Sequence, residues 1–330
     1  MKYRRALQLS AGLALVALVA TGCGTISDQA EGSTVERPDK IESLVFDHPF
    51  TALPVVSAIT TYAQKRADEL GIELSLTNAN MDPTQQVTQL NAFVARTPDA
   101  VVSFPADPAS IQSIATQFMD AGTYWISYAN PLESDDGFLD LDALEAGRAL
   151  GVDAGEWINE NLGGSGKVLI IEETSMAFSQ ARTAGLVEGL TATAPNATIV
   201  AQQPGVVPEQ GLSVTSTVLA QHPDLNVVLT VSGDAAQGAY QALIAGGRDP
   251  MDARTYVGGV DGNAFGLQRM GEGTFFRAQV LNLPEEVGNA VVDIPVAVAA
   301  GKTESDVVIP FHLIKKDSPE LDQLISDFGG

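Results

Sequence analysis

The chain has 330 residues, 45% of them hydrophobic and 6% aromatic, with a single cysteine and a formal net charge of −23. Such a length exceeds one small core and favours two lobes, and a lone cysteine excludes an internal disulfide. The carboxylate excess disfavours nucleic acid and anionic surfaces, because each phosphate contact would meet a repulsive field; it reads as extracellular solubility rather than as the function.

Lys2, Arg4 and Arg5 precede an apolar run over 11–20 that closes at Val19-Ala20-Thr21-Gly22-Cys23. This is the layout of a secretory signal, expected over 1–22, and removing its three cations takes the net charge from −23 to −26. Cys23 sits where a bacterial lipoprotein signal places the residue that receives lipid, so lipidation at Cys23 is expected. An ordinary cleaved signal with an incidental cysteine is the alternative, since Ala20 stands where such signals favour Leu. Residues 23–40 are small and polar and read as a flexible tether. No later stretch approaches the roughly 18 continuous apolar residues of a membrane span.

From Ile41 short apolar runs alternate with helix-length amphipathic stretches. Strands are expected at 44–46, 72–76, 100–104 and 124–128, with helices at 55–70, 83–95 and 111–121 between them. The rhythm breaks over 130–140, rich in Pro, Gly, Asp and Ser, and this segment reads as a crossing between lobes. It resumes with helices at 143–161, 180–191, 211–222 and 235–245 and strands at 167–171, 198–202, 227–231 and 255–260. A helix at 287–300 and a strand at 307–314 complete the existing sheets. Strand and helix in alternation signal parallel sheets built from βαβ units. The expected fold is therefore α/β, with two doubly wound parallel-sheet lobes joined by a three-segment hinge and a ligand cleft between them. One lobe takes 41–131 with 283–308, the other 132–282 with 309–330.

In open α/β sheets the loops at the carboxyl ends of the strands carry the ligand. Catalytic signatures are missing from those places. Gly163-Gly164-Ser165-Gly166-Lys167 is followed by Val168 where a phosphate-binding loop needs Ser or Thr, and no Gly-x-Ser-x-Gly elbow occurs. His48, His222 and His312 are scattered, so no zinc site is expected. Neither an enzyme nor a bound cofactor is expected.

The strand ends nevertheless carry a pattern. Phe46-Asp47-His48-Pro49-Phe50, Pro98 through Asp107, Glu145-Ala146-Gly147-Arg148, Gln180 through Leu186, Gly233 through Ala239 and Val257 through Gly262 occur in this order. With these stretches the chain resembles the type I periplasmic binding proteins, the ribose-like substrate-binding lipoproteins of ABC importers, over nearly all of its length from Ile41. The resemblance implies a sugar gripped between lobes by aromatic faces and by side chains that hydrogen-bond its hydroxyls. By position, Phe50 would stack, His48 would replace a polar Asn, and Asp107 and Asp261 would accept hydroxyl protons. Arg182 would donate a fork of hydrogen bonds, Asn282 would sit near the hinge in place of a Gln, and Asp234 and Asn130 would line the cleft.

Plainer roles stand beside these. Phe50 reads equally as a core ring, Asp107 as the cap of a helix starting at Pro108, and Arg182 and Asp234 as solvated residues at helix starts. Departures from the family pattern matter for the ligand. Thr51, Pro108, Gly233 and Ala129 replace aromatic or polar residues, while Tyr128, Met176 and Phe178 add apolar wall. A ligand less hydroxylated than ribose, a deoxy sugar or a polyol, is the expectation. The expected partners are this small neutral solute and an ABC permease, with no nucleic acid, a membrane attachment through the N-terminal lipid, and a monomeric body outside the cytoplasm. A sensor role, in which the same protein docks on a membrane receptor without import, is the alternative.

Overall fold

The computed structural model describes residues 35–329 apart from 52, 81, 303 and 304; the expected signal, Cys23 and the tether up to residue 34 lie outside the described residues. The last part of that tether, contrary to expectation, is held. The Arg37 guanidinium pairs with Asp136 at 2.5 Å and lies 4.9 Å from the centre of the Tyr124 ring. The Tyr124 hydroxyl in turn donates to the Pro38 carbonyl at 3.2 Å.

The first half of the chain runs β1 (Ser43–Asp47), α1 (Pro54–Leu70), β2 (Glu73–Thr77), α2 (Pro83–Val94), β3 (Ala100–Ser103), α3 (Pro108–Asp120), β4 (Tyr124–Tyr128) and β5 (Gly137–Asp140). The second runs α4 (Ala143–Leu162), β6 (Lys167–Glu172), α5 (Ala177–Thr193), β7 (Thr198–Pro204), α6 (Pro208–Gln221), β8 (Val227–Thr230), α7 (Gly233–Ala245), β9 (Tyr256–Val260), α8 (Ala264–Gly271) and β10 (Phe276–Leu281). The chain ends with α9 (Pro284–Ala299), β11 (Asp306–Val308), β12 (His312–Ile314) and α10 (Leu321–Asp327). Proline opens α1, α2, α3, α6 and α9, where its fixed φ suits a first helical turn and its missing N–H costs nothing.

Two six-stranded sheets result, ordered β11-β5-β4-β3-β1-β2 and β12-β10-β9-β8-β6-β7. All neighbours are parallel except β12, which runs antiparallel to β10. Strands β3, β8 and β9 are buried at every position, as a parallel sheet covered by helices on both faces requires.

Two expectations need correction. The segment after Pro131 is not yet the crossing: β5 pairs with β4 in the first sheet, and the chain changes lobes only at Leu141 and Asp142. The span 307–314 is two strands in different sheets, because Pro310, which has no N–H to donate, interrupts it. Helices α8 and α10 and strand β10 went unanticipated. The three crossings are thus at 141–142, 282–283 and 309–311. Asn282 ties the last two together, its Nδ2 donating to the carbonyls of Ile309 at 3.1 Å and Pro310 at 2.9 Å.

Asp47, at the end of β1, is fully buried and locks the first sheet. It accepts from the hydroxyls of Thr77 on β2 and Ser103 on β3, and from Nε2 of Gln86 on α2 at 2.7 Å. Burial raises its pKa, and these three hydrogen bonds oppose the rise. Removing the carboxyl strands three buried donors, so Asp47→Ala should cost at least ~2 kcal/mol in urea unfolding; an unchanged midpoint would contradict this role.

Candidate functional site

The carboxyl ends of β1, β3 and β4 bring together a cluster of rings. His48 is buried among Phe46, Phe50, Phe104 and Tyr128, with ring centres 5.8, 5.7, 5.0 and 5.5 Å away. Phe50 and Phe104 meet edge to face at 5.5 Å, and Phe104 meets Tyr128 in the same way at 5.6 Å. Such edge-to-face pairs set the positive rim of one ring against the negative face of another. Phe178, on the first turn of α5 in the other lobe, completes the cluster at 6.1 Å from Phe104.

His48 is neutral. Burial pushes its pKa down to about 3, and Nδ1 accepts the backbone N–H of Phe50 at 3.2 Å. An accepting Nδ1 on a neutral ring places the proton on Nε2. Among the described residues that Nε2–H has no hydrogen-bond partner.

The second lobe supplies an ion pair. Arg182, one turn beyond Phe178, is 5% exposed and forks onto Asp261 at the end of β9, through Nη1 at 2.7 Å and Nη2 at 2.9 Å. Nη1 also donates to the Val231 carbonyl at 3.2 Å. The guanidinium carbon lies 4.4 Å from the centre of the Phe178 ring, a cation–π contact that joins the charged group to the ring cluster. Tyr128 closes the link from the first lobe: its pKa is raised, first by burial and then by the Asp261 carboxylate, with Arg182 opposing. Its hydroxyl therefore lies in the field of the pair.

Local backbone explains why these groups meet. Asp261 adopts a left-handed φ of 61° and Ala129, at the end of β4, one of 59°. Both values are costly for residues with a Cβ and turn the chain sharply at the strand end. The start of α7 reaches Asp261 only because residue 233 is glycine, since a Cβ there would lie 2.6 Å from the Asp261 carbonyl oxygen. Arg182 is fixed from behind in the same manner: a Cβ on Gly147 of α4 would fall 1.9 Å from the Arg182 carbonyl.

The remaining expected residues are engaged elsewhere. Asp107 stands at the N-cap of α3, but its carboxylate makes no bond to the helix amides and accepts from the Ser110 hydroxyl at 2.5 Å. Asn130 is buried, with Nδ2 donating to the Pro105 carbonyl at 3.0 Å. Asp234 accepts from Nδ2 of Asn263 at 2.8 Å, while Asn263 Oδ1 caps α8 by accepting from Gly266 N–H. Asn282 spends its donor on the hinge. The fork of Arg182, expected to reach a ligand, closes on Asp261 instead, because a guanidinium this buried needs an anion against it. Phe104 and Asn263 were absent from the expected site. An aromatic residue ending an apolar strand before Pro105 was the available signal for the first, and a place in the loop that follows the strand at 255–260 was the signal for the second. Among the described residues no group of three or more His, Cys, Asp or Glu could hold a metal ion.

The His48 geometry has a measurable consequence. Its folded pKa lies below the value near 6.5 of an unfolded chain, so its contribution to stability is complete above about pH 6.5 and is lost as pH falls from there towards 3. The His48 ring proton resonance should stay constant from pH 8 to 5, and His48→Gln should flatten the acid limb of the stability curve. A titration midpoint near 6.5 for His48 would contradict its burial.

The family model described as periplasmic binding protein domain matches residues 47–303. The ribose import binding protein RbsB of Salmonella typhimurium is 24% identical over 80% of this chain and 87% of its own length. The ABC transporter periplasmic-binding protein YphF of Escherichia coli is 28% identical, but that match spans 52% of this chain and 54% of YphF. The fold is shared with a solute-binding protein of Actinobacillus succinogenes solved with D-allose bound, at a TM-score of 0.75, 19% identity, and coverage of 83% of this chain and 98% of that one. The two-lobed fold and the family match agree, and the chain belongs to the periplasmic binding protein domain family.

Proposed function

We propose that this protein captures a small neutral solute, a sugar, deoxy sugar or polyol, by closing its two lobes on it, and delivers it to an ABC permease. The observation that carries the reading is the meeting, between the lobes, of a ring cluster with a carboxylate already neutralised by a buried guanidinium. Rings accept the C–H faces of a sugar. The Asp261 side chain, 37% exposed, keeps lone pairs for hydroxyl protons, and its pairing with Arg182 removes the net charge that would otherwise favour a cationic ligand. Relatives support the class: RbsB is named for ribose import, and a Mycolicibacterium smegmatis relative is named a xylitol-binding protein.

Binding without chemistry is the proposed role. The ligand is held between Phe50 and Phe178 and by Asp261, and its enclosure registers as closure about the crossings at 141–142, 282–283 and 309–311. The protein works outside the cytoplasm, as a monomer held to the membrane through a lipid on Cys23.

A thermal-shift panel of pentoses, hexoses, deoxy sugars and polyols at millimolar concentration tests the reading. A ligand at about a thousand times its dissociation constant adds roughly 4 kcal/mol to folding and raises the melting temperature by several degrees. Asp261→Ala should weaken binding of the best solute by about 10-fold or more, with retained folding checked by circular dichroism. Silence across the whole panel would overturn the proposal.

A further inference from the structure

Resting on the capture reading, we infer that the ligand carries a deoxygenated edge, a methyl or methylene group, which seats against Phe50, Phe104, Phe178 and His48, while its hydroxyls face Asp261. The argument is one of hydrogen-bond supply. A hydroxyl brings a proton to donate and lone pairs that accept. At the ring corner the phenylalanines offer neither. His48 offers only a donor, because Nδ1 is occupied by the Phe50 N–H at 3.2 Å and the remaining ring nitrogen carries the proton. A ligand hydroxyl placed there could accept from Nε2–H, but its own proton would have no acceptor, and a buried polar hydrogen left unpaired is penalised. A methyl or methylene leaves the His48 Nε2–H without a protein partner, as it stands before binding, but brings no polar hydrogen of its own, and it gains apolar contact with rings that converge from both lobes, Phe178 meeting Phe104 at 6.1 Å.

The opposite end of the site has the reverse supply. The Asp261 oxygens only accept, and each already takes one hydrogen bond from Arg182, at 2.7 and 2.9 Å. Free lone pairs on both oxygens match two neighbouring ligand hydroxyls. The Tyr128 hydroxyl lies in the field of this pair. The site is therefore polarised along the ligand, with the ring corner selecting against oxygen.

Phe178 is the residue that makes the corner selective, since among the described residues it is the one that brings a ring from the second lobe to Phe104. It is half-buried on the first turn of α5 and packs against the edge of the first lobe's core.

The test measures dissociation constants by calorimetry for pairs that differ by one oxygen: D-fucose and D-galactose, L-rhamnose and L-mannose, 2-deoxy-D-ribose and D-ribose. In at least one pair the deoxygenated member should bind about 10- to 100-fold tighter. Phe178→Ala should bring that ratio towards one, while Phe178→Tyr, which adds an acceptor at the corner, should recover affinity for the hydroxylated member. Melting curves of both variants confirm that they fold. If the hydroxylated member binds as well or better in every pair, the inference is overturned although capture stands. If no member of any pair binds, the inference falls, and the response to pentitols and inositols in the wider panel decides whether capture falls with it.

Discussion

A guanidinium with almost no solvent access depends on its anion, and the pairing of Arg182 with Asp261 organises the second lobe. Breaking such a pair leaves an uncompensated buried charge, a larger penalty than the pair's net worth. Much nearby structure follows from holding the two side chains in register. Gly147 lets α4 press against the Arg182 carbonyl, Gly233 lets α7 reach the Asp261 carbonyl, and the left-handed turn at Asp261 is anchored by its N–H donating to the Val280 carbonyl at 2.8 Å. These glycines serve close approach rather than flexibility. A side chain at either place would push apart the elements that carry the charges.

The first lobe contributes a different kind of surface. Its strand ends are tied by Asp47 beneath and by Asn130 at the rim, so the rings of His48, Phe50, Phe104 and Tyr128 stand on a rigid base. The ion pair lies in one lobe and most of the ring cluster in the other. Phe178 is the exception, and its position under Arg182 couples the two. Contacts on the hinge side also cross between lobes: Tyr62 of α1 donates to Asp327 of α10 at 3.0 Å, and Glu286 at the start of α9 meets His312 of β12 at 3.0 Å. Together with the Asn282 bridge they tie the two lobes to each other beside the crossings.

Much of this was legible from residues alone. Apolar runs and Pro-initiated amphipathic stretches marked most of the strands and helices, since burial on both sheet faces leaves a strong signal. The elements that escaped have physical reasons. Strand β5 is four residues of Gly-Phe-Leu-Asp inside a polar stretch, and its pairing partner β4 supplies the order that its own sequence lacks. Strand β10 carries Arg277 and Gln279, which break its apolar run. In the site, the strand-end rule led to Asp261, Phe50, Phe178 and His48, and the family resemblance added Arg182. It could not show that the guanidinium turns onto Asp261, nor that Asn282 and Asp234 spend hydrogen bonds on protein partners, because side-chain direction is decided by packing between distant segments.

The account's central claim is that two lobes enclose the solute. Small-angle scattering of the mature protein, titrated with whichever solute stabilises it most, tests this directly. The radius of gyration should fall with occupancy and level off when the site is full, as rotation about the crossings brings the lobes together. A radius unchanged at saturating solute would contradict capture by closure.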